Sequence, residues 1–421
     1  MIRGFSSIGR VICIKLLQAM LCLYFSTFVG AVKGQEVLMP PPEYSVAPAA
    51  IRESQTNVMD VFPAPELVNT KPEMPPFKWG PVDVRPHVSY QFLSGSGIPA
   101  ANSNHVSTVI QRISPGVLVY LGNHWSIDYT PTWSLYSNNQ FRDTFDNDVQ
   151  LSGGATYESW VFGLTQSYVS SSSPLVETGT QTDTKSWLTG LAATNRLNSK
   201  TTVDLSAHQD IVSAKNLDSY NEWSTLDWLD YEFWPQLYAG LGAGLGYVEV
   251  SHGSDMTYEQ FQARMGWRPA KKISIQIHGG LEIRQFLDGS DMFSPVGGAL
   301  IEYKPFEYTK LSASVDRAVD PSFFENEAIR STDFVGDLNQ RLLGKFYLDL
   351  IGGYHFIQYV NSDASTITRT DDYYTFATRL SCPILKRGRI SAFYQHSDNS
   401  STASGYTFSS NQVGFEVGYH F

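Results

Sequence analysis

Histidine, aspartate and serine are the residue types from which hydrolytic and metal chemistry is built, so their spacing is the first thing to weigh. Nucleophilic catalysis needs a nucleophile within hydrogen-bond reach of a base that a third group orients. The nine histidines, His87, His105, His124, His208, His252, His278, His355, His396 and His420, are instead scattered through the chain. No GxSxG elbow, HExxH zinc motif or Asp/His protease pairing accompanies them, so no catalytic residue is assigned and an enzyme is not expected. Asp363, Asp371 and Asp372 near one predicted loop, and Asp288 with Asp291 near another, bring together oxygen donors of the kind Ca²⁺ takes. Their spacing fits no metal-binding loop, and a solvated acidic surface is the plainer reading. No metal or cofactor is expected.

A second set of polar residues stands out by register. In the stretch from Ile273 to Arg284, Ile273, Ile275, Ile277, Gly279, Leu281 and Ile283 alternate with Ser274, Gln276, His278, Gly280, Glu282 and Arg284. Successive side chains of a strand point to opposite faces, so one face is greasy and the other charged. Arg264, Asp316, Asp349 and Arg379 fall on polar faces in the same way. If the sheet closes, Arg264, Gln276, His278, Glu282, Arg284, Asp316, Asp349 and Arg379 line its interior. Their mixed signs predict weak charge selectivity at most.

Alternation of this kind recurs from about residue 81 to the end, separated by Gly, Ser, Asn and Asp clusters. It predicts about 18 strands (16–18), near 82–93, 108–120, 124–135, 147–157, 160–169, 184–195, 201–209, 223–234, 236–248, 257–267, 273–285, 295–303, 309–318, 331–341, 346–357, 372–381, 389–397 and 411–421. Tight links near Asn123, Ser159, Pro235, Lys271, Pro305, Gly344 and Lys386 take turns with long polar links near 94–107, 136–146, 170–183, 210–222, 286–294, 319–330, 358–371 and 398–410. Short turns at one end and long loops at the other describe an antiparallel up-and-down transmembrane β-barrel with both chain ends in the periplasm. Trp125, Trp160, Trp234 and Trp267 lie beside the tight links, and Trp133, Trp187 and Trp223 near the other strand ends, as interfacial rings would. Trp228 sits mid-strand and fits neither girdle.

The start of the chain reads differently. An apolar run from Val11 to Val29 behind Arg3 and Arg10, ending in small residues, predicts a secretory signal peptide over 1–34, cut at Gly34/Gln35 or Ala31/Val32. A signal-anchor helix is the alternative, because the run approaches the ~20 residues needed to span a bilayer. Cys22 follows Met20 and Leu21 rather than a small residue, which argues against a lipoprotein. Cys382 is the single cysteine outside the signal, so no internal disulfide is expected. Four of the 30 basic residues fall in the signal, leaving 26 against 41 acidic ones, a net of −15 that makes nucleic acid a poor partner. Residues 35–80, with Pro40, Pro41, Pro42, Pro48, Pro63, Pro65, Pro72, Pro75 and Pro76, predict an extended, mostly disordered periplasmic linker, with threading of the lumen or tethering to a partner as alternatives. The barrel then occupies 81–421.

The last strand alternates Val413, Phe415, Val417, Tyr419 and Phe421 with Gly414, Glu416, Gly418 and His420. A terminal phenylalanine on such a face resembles the signal read by the barrel-assembly machinery of Gram-negative bacteria. The chain as a whole resembles porin-type outer-membrane barrels, including those found beside exopolysaccharide export systems. That resemblance implies β-strand closure against the first strand near Val84–Phe92, contact with outer-membrane lipid and lipopolysaccharide, and passive diffusion of small hydrophilic solutes. A structural or export-associated barrel without an open pore, in contact with polysaccharide, is the alternative it leaves, and a barrel enzyme a weaker one.

Overall fold

A strand buried in hydrocarbon must have every backbone N–H and C=O paired, and a sheet achieves this for all its members only by closing on itself. The computed structural model of the chain closes in this way. It describes residues 35–40, 77–101, 104–122, 124–287, 289–362 and 366–421. The expected signal peptide, 1–34, and residues 41–76 of the expected linker lie outside the described residues.

The strands are β1 (Phe77–Trp79), β2 (Val82–Ala101), β3 (Asn104–Leu121), β4 (Trp125–Tyr136), β5 (Thr144–Tyr157), β6 (Trp160–Pro174), β7 (Gln181–Arg196), β8 (Thr201–Ala214), β9 (Tyr220–Trp234) and β10 (Leu237–Val250). They continue as β11 (Met256–Ala270), β12 (Ile273–Phe286), β13 (Asp291–Phe306), β14 (Thr309–Pro321), β15 (Glu327–Leu342), β16 (Phe346–Asn361), β17 (Ile367–Ile384), β18 (Gly388–Ser401) and β19 (Phe408–His420). From β2 to β19 each strand pairs antiparallel with the next, and β19 pairs back onto β2. The result is a closed, all-β barrel of 18 strands.

The seam lies where the terminal strand was expected to find the first. Phe415 stands opposite Phe92, Tyr419 opposite Val88 and His420 opposite His87. The rings of Phe92 and Phe415 stack with centroids 5.4 Å apart, and the Phe421 N–H donates to the Pro86 carbonyl at 2.9 Å. Where β19 stops, β1 takes over the same edge of β2, pairing Phe77 with Val84 and Trp79 with Val82. The seam is thus paired down to the end of the sheet.

Two-residue turns such as Glu158–Ser159, Pro235–Gln236, Lys271–Lys272 and Glu307–Tyr308 crowd one end, while connections such as 137–143, 175–180, 322–326 and 402–407 crowd the other. The long loops of the sequence reading are mostly strand. Nearly all of 94–107 belongs to β2 and β3, and 210–222 shrinks to 215–219 between β8 and β9. The physical reason is that these Ser- and Asn-rich stretches continue the ladder past the apolar band, where neither face needs to be greasy and alternation fades.

Outward positions are apolar and exposed: Leu241 and Leu245 on β10, Phe261 on β11, Ile277 and Leu281 on β12. On the opposite faces lie Asp230, Gln262, Arg264, Glu282 and Arg284, all buried. The glycine face of β10 turns inward to admit bulky neighbours. A Cβ on Gly242 would meet the Trp228 ring at 2.7 Å, and one on Gly246 the Tyr258 ring at 2.1 Å. Trp228 fits no girdle because it packs on this inner face beneath the Arg264 guanidinium, 4.5 Å from its ring centroid.

Candidate functional site: a lumen filled at one end

Eighteen strands ~4.8 Å apart and tilted by ~40° enclose a barrel about 35 Å across between backbones, too wide for wall side chains to fill. What occupies the interior therefore decides what the protein can do.

Near the short-turn end the wall carries ion pairs. The Arg264 guanidinium donates through Nε to Asp230 at 2.8 Å and through Nη2 to both Asp230 and Asp204. Across the barrel, Arg379 lies 3.6 Å from Glu416, and Asn339 donates to Asp349. His278 stands between Gln262, at 3.3 Å, and Asp316, at 3.6 Å. The Asp316 side chain is 45% exposed, more open than the ion-paired residues around it.

Toward the long-loop end the inner face changes character. Val248, on the inward glycine face of β10, and Met256, Phe286, Met292 and Val296 form an apolar cluster with Leu175 and Phe323 from two connections. Glu282 and Arg284 sit at the boundary, paired at 2.8 Å, with Arg284 also donating to the Val319 carbonyl at 2.8 Å. The 175–180 connection is held inside by Arg369, whose Nη1 donates to the Glu177 carbonyl at 2.7 Å and whose Nη2 donates to the Val176 carbonyl at 3.0 Å. The Glu177 carboxylate accepts the Ser322 hydroxyl at 2.9 Å and the Phe323 N–H at 2.7 Å, which ties this connection to 322–326. Burial outweighs these bonds and pushes the Glu177 carboxyl up to about 7.

The third piece of filling is the N-terminal segment Gln35–Pro40. Val37, Leu38 and Met39 are 0–1% exposed. Glu36 bridges Leu175 as a strand partner, the Val37 N–H donates to the Pro174 carbonyl at 2.9 Å, and the Val176 N–H to the Gln35 carbonyl at 2.8 Å. Farther down, the wall reads the segment's backbone. Gln395 and Gln412 donate to the Val37 carbonyl at 3.2 and 2.7 Å, the Met39 N–H donates to Gln412 Oε1 at 3.0 Å, Arg112 donates to the Met39 carbonyl, and Gln91 to the Pro40 carbonyl at 3.2 Å. These six residues were expected in a periplasmic linker. They pack inside the barrel because three consecutive apolar side chains gain more from an apolar wall than from water, and the wall supplies partners for the main chain.

Of the eight residues expected on the interior, Arg264, Glu282, Arg284, Asp349 and Arg379 are buried and ion-paired or hydrogen-bonded to neighbouring strands or to each other. His278 and Asp316 meet, and Gln276 is half-buried opposite Gly266. They do not converge on one point; they form separate clusters around the wall. The acidic loop set is divided: Asp371 takes the Arg369 guanidinium at the inner wall, whereas Asp372, one residue on and facing away, accepts the Tyr354 hydroxyl at 2.6 Å. Asp363 and Asp288 lie outside the described residues. Buried His–Asp pairs, His87 with Asp128 at 3.2 Å and His355 with Asp333 at 2.8 Å, escaped the sequence reading because their partners lie 41 and 22 residues away. His87 turns the same nitrogen to Asp128 and to Thr130, so it does not stand between an acid and a nucleophile. Gln91, Arg112, Gln395 and Gln412 were also missed, although a run of amide side chains on inward strand positions is a signal that could have drawn attention to them.

A closed up-and-down barrel with an apolar outer face and a polar, partly filled interior is a transmembrane β-barrel of the outer-membrane type. No family model and no curated protein matches the chain. Among solved structures it is similar to the outer membrane protein OpdK from Pseudomonas aeruginosa, with a TM-score of 0.42 and 11% identity over 80% of this chain and 98% of that one. OpdL of the same organism gives 0.43 and 12% over 80% and 99%, and the siderophore receptor PirA of that organism 0.40 and 8% over 80% of each chain. The likeness is one of architecture, and what the barrel does is argued from its interior.

Proposed function

We propose that the chain is a porin-like outer-membrane channel for passive diffusion of small hydrophilic solutes, occluded at its long-loop end by Gln35–Pro40 and the 175–180 and 322–326 connections. The supporting observation is the contrast along one lumen: Asp316 on the wall is 45% exposed, whereas Val37, Leu38 and Met39 are 0–1% exposed. In this reading the short turns face the periplasm, and lipid and lipopolysaccharide surround the outer face. The barrel-assembly machinery reads β19 through Val413, Phe415, Val417, Tyr419 and Phe421.

Planar-bilayer recording tests it. Unaltered protein should give rare, small steps, and a chain lacking residues 35–76, which keeps β1, should give larger and more frequent ones. Absence of steps from either folded form would refute the channel, and unchanged conductance after the deletion would refute occlusion. A silent, folded barrel would leave the structural or export-associated reading, which the dense packing of the long-loop end also favours.

A further inference from the structure

The bonds that hold Gln35–Pro40 share a feature that simple space-filling does not require: they go to its main chain. The chain bends at Val37 and Leu38, and the bend presents the Val37 C=O and the Met39 N–H to one side chain. The Gln412 amide meets that pair, donating to the Val37 carbonyl at 2.7 Å and accepting the Met39 N–H at 3.0 Å. Gln395 adds a second donor to the Val37 carbonyl, Arg112 takes the Met39 carbonyl and Gln91 the Pro40 carbonyl. Apolar packing receives the side chains: Leu38 and Met39 in one cluster with Leu93 and Ile110, and Val37 in another with Val176.

We infer that the inner wall around Gln91, Arg112, Gln395 and Gln412 is a recognition site for short peptide segments carrying consecutive apolar side chains, with Gln35–Pro40 as its tethered occupant. This assigns a ligand class to the occluded channel and rests on that reading for its place in transport, although binding itself does not require conduction. Backbone bonds give affinity and apolar pockets give selectivity, a division of labour known from peptide recognition through the main chain. A carbohydrate offers hydroxyls on many sides, but not a C=O and an N–H placed together for one amide to bridge. A tethered ligand competes at an effective concentration of about a millimolar, so a free peptide enters only by out-competing it.

The test uses the full chain carrying L38D/M39D, which expels the segment, and a fluorescein-labelled hexapeptide, Gln-Glu-Val-Leu-Met-Pro, followed by fluorescence anisotropy in micelles. Saturable one-to-one binding is expected, at least tenfold tighter than to the unaltered chain and weakened at least tenfold by adding Gln412→Ala. Unlabelled peptide should displace the probe, and maltohexaose should not. Heat-modifiable migration in gels verifies folding, and L38S/M39S serves if the aspartates prevent it. The proposal is overturned by a lack of saturable binding to the folded variant, by binding indifferent to Gln412→Ala, or by displacement with maltohexaose as effective as with peptide. A variant that binds peptide but never conducts sinks the channel and keeps the groove; one that conducts but binds no peptide does the reverse.

Discussion

Replacing Glu177 with glutamine should remove a pH dependence from the docking of the 175–180 connection. In the docked state the carboxyl is buried and titrates at about 7, against an ordinary value of 4.5 once the connection swings into water. Because the docked value is raised, docking is strongest below 4.5, where both states are protonated, and is lost progressively as pH rises through 7. Between pH 5 and pH 8 the difference amounts to about 2.5 kcal/mol, or about 70-fold in the docking equilibrium. A thiol placed at the buried position of Val176, in a Cys382→Ser background, reports undocking through its reaction with a membrane-impermeant maleimide. After correction for thiolate content with a model peptide, the rate should climb about 70-fold over that range with Glu177 present. It should stay flat with Glu177→Gln, which still accepts the Ser322 and Phe323 bonds. A flat corrected profile with Glu177, or an equally steep one with Glu177→Gln, would refute the reasoning.

Other consequences follow from the same packing. Arg264→Ala leaves Asp204 and Asp230 facing each other without their cation; a loss of about 3–5 kcal/mol is expected, seen as a lower midpoint in thermal gel-shift assays. Gly246→Val drives a Cβ to within 2.1 Å of the Tyr258 ring, and overpacking of about 1–3 kcal/mol should lower the same midpoint, whereas Ala243→Val on the outer face should not. Leu281→Arg places a charge on the exposed apolar band and should cost about 2–4 kcal/mol in urea unfolding from lipid vesicles, with Gln285→Arg near the strand end costing less.

Much of the wall was legible because strand alternation is a local property. The faces of β12 could be assigned residue by residue, since hydrocarbon on one side and water on the other impose opposite demands on adjacent positions. The seam was legible too, because β19 carries its apolar set on the odd positions from Val413 to Phe421 and must find an edge. The strand ends were not, because beyond the apolar band Ser and Asn satisfy strand and loop alike, and the ladder continued where polarity suggested loops. The inward Met256 and Phe286 break the polar phase of their own strands, a signal that was present but carries meaning only once something is known to pack against it.

The order of the strands, their number and the sense of their two faces were determined by the sequence by itself, since each follows from side-chain period and from the need to pair every backbone group. The contents of the lumen were decided by tertiary structure alone. Val37 and Gln412 are 375 residues apart, and no periodicity links a proline-rich segment to amides on closing strands. Only when the ring shuts do Gln91, Arg112, Gln395 and Gln412 converge on one stretch of main chain, because closure, unlike alternation, brings the two ends of the barrel sequence to one place.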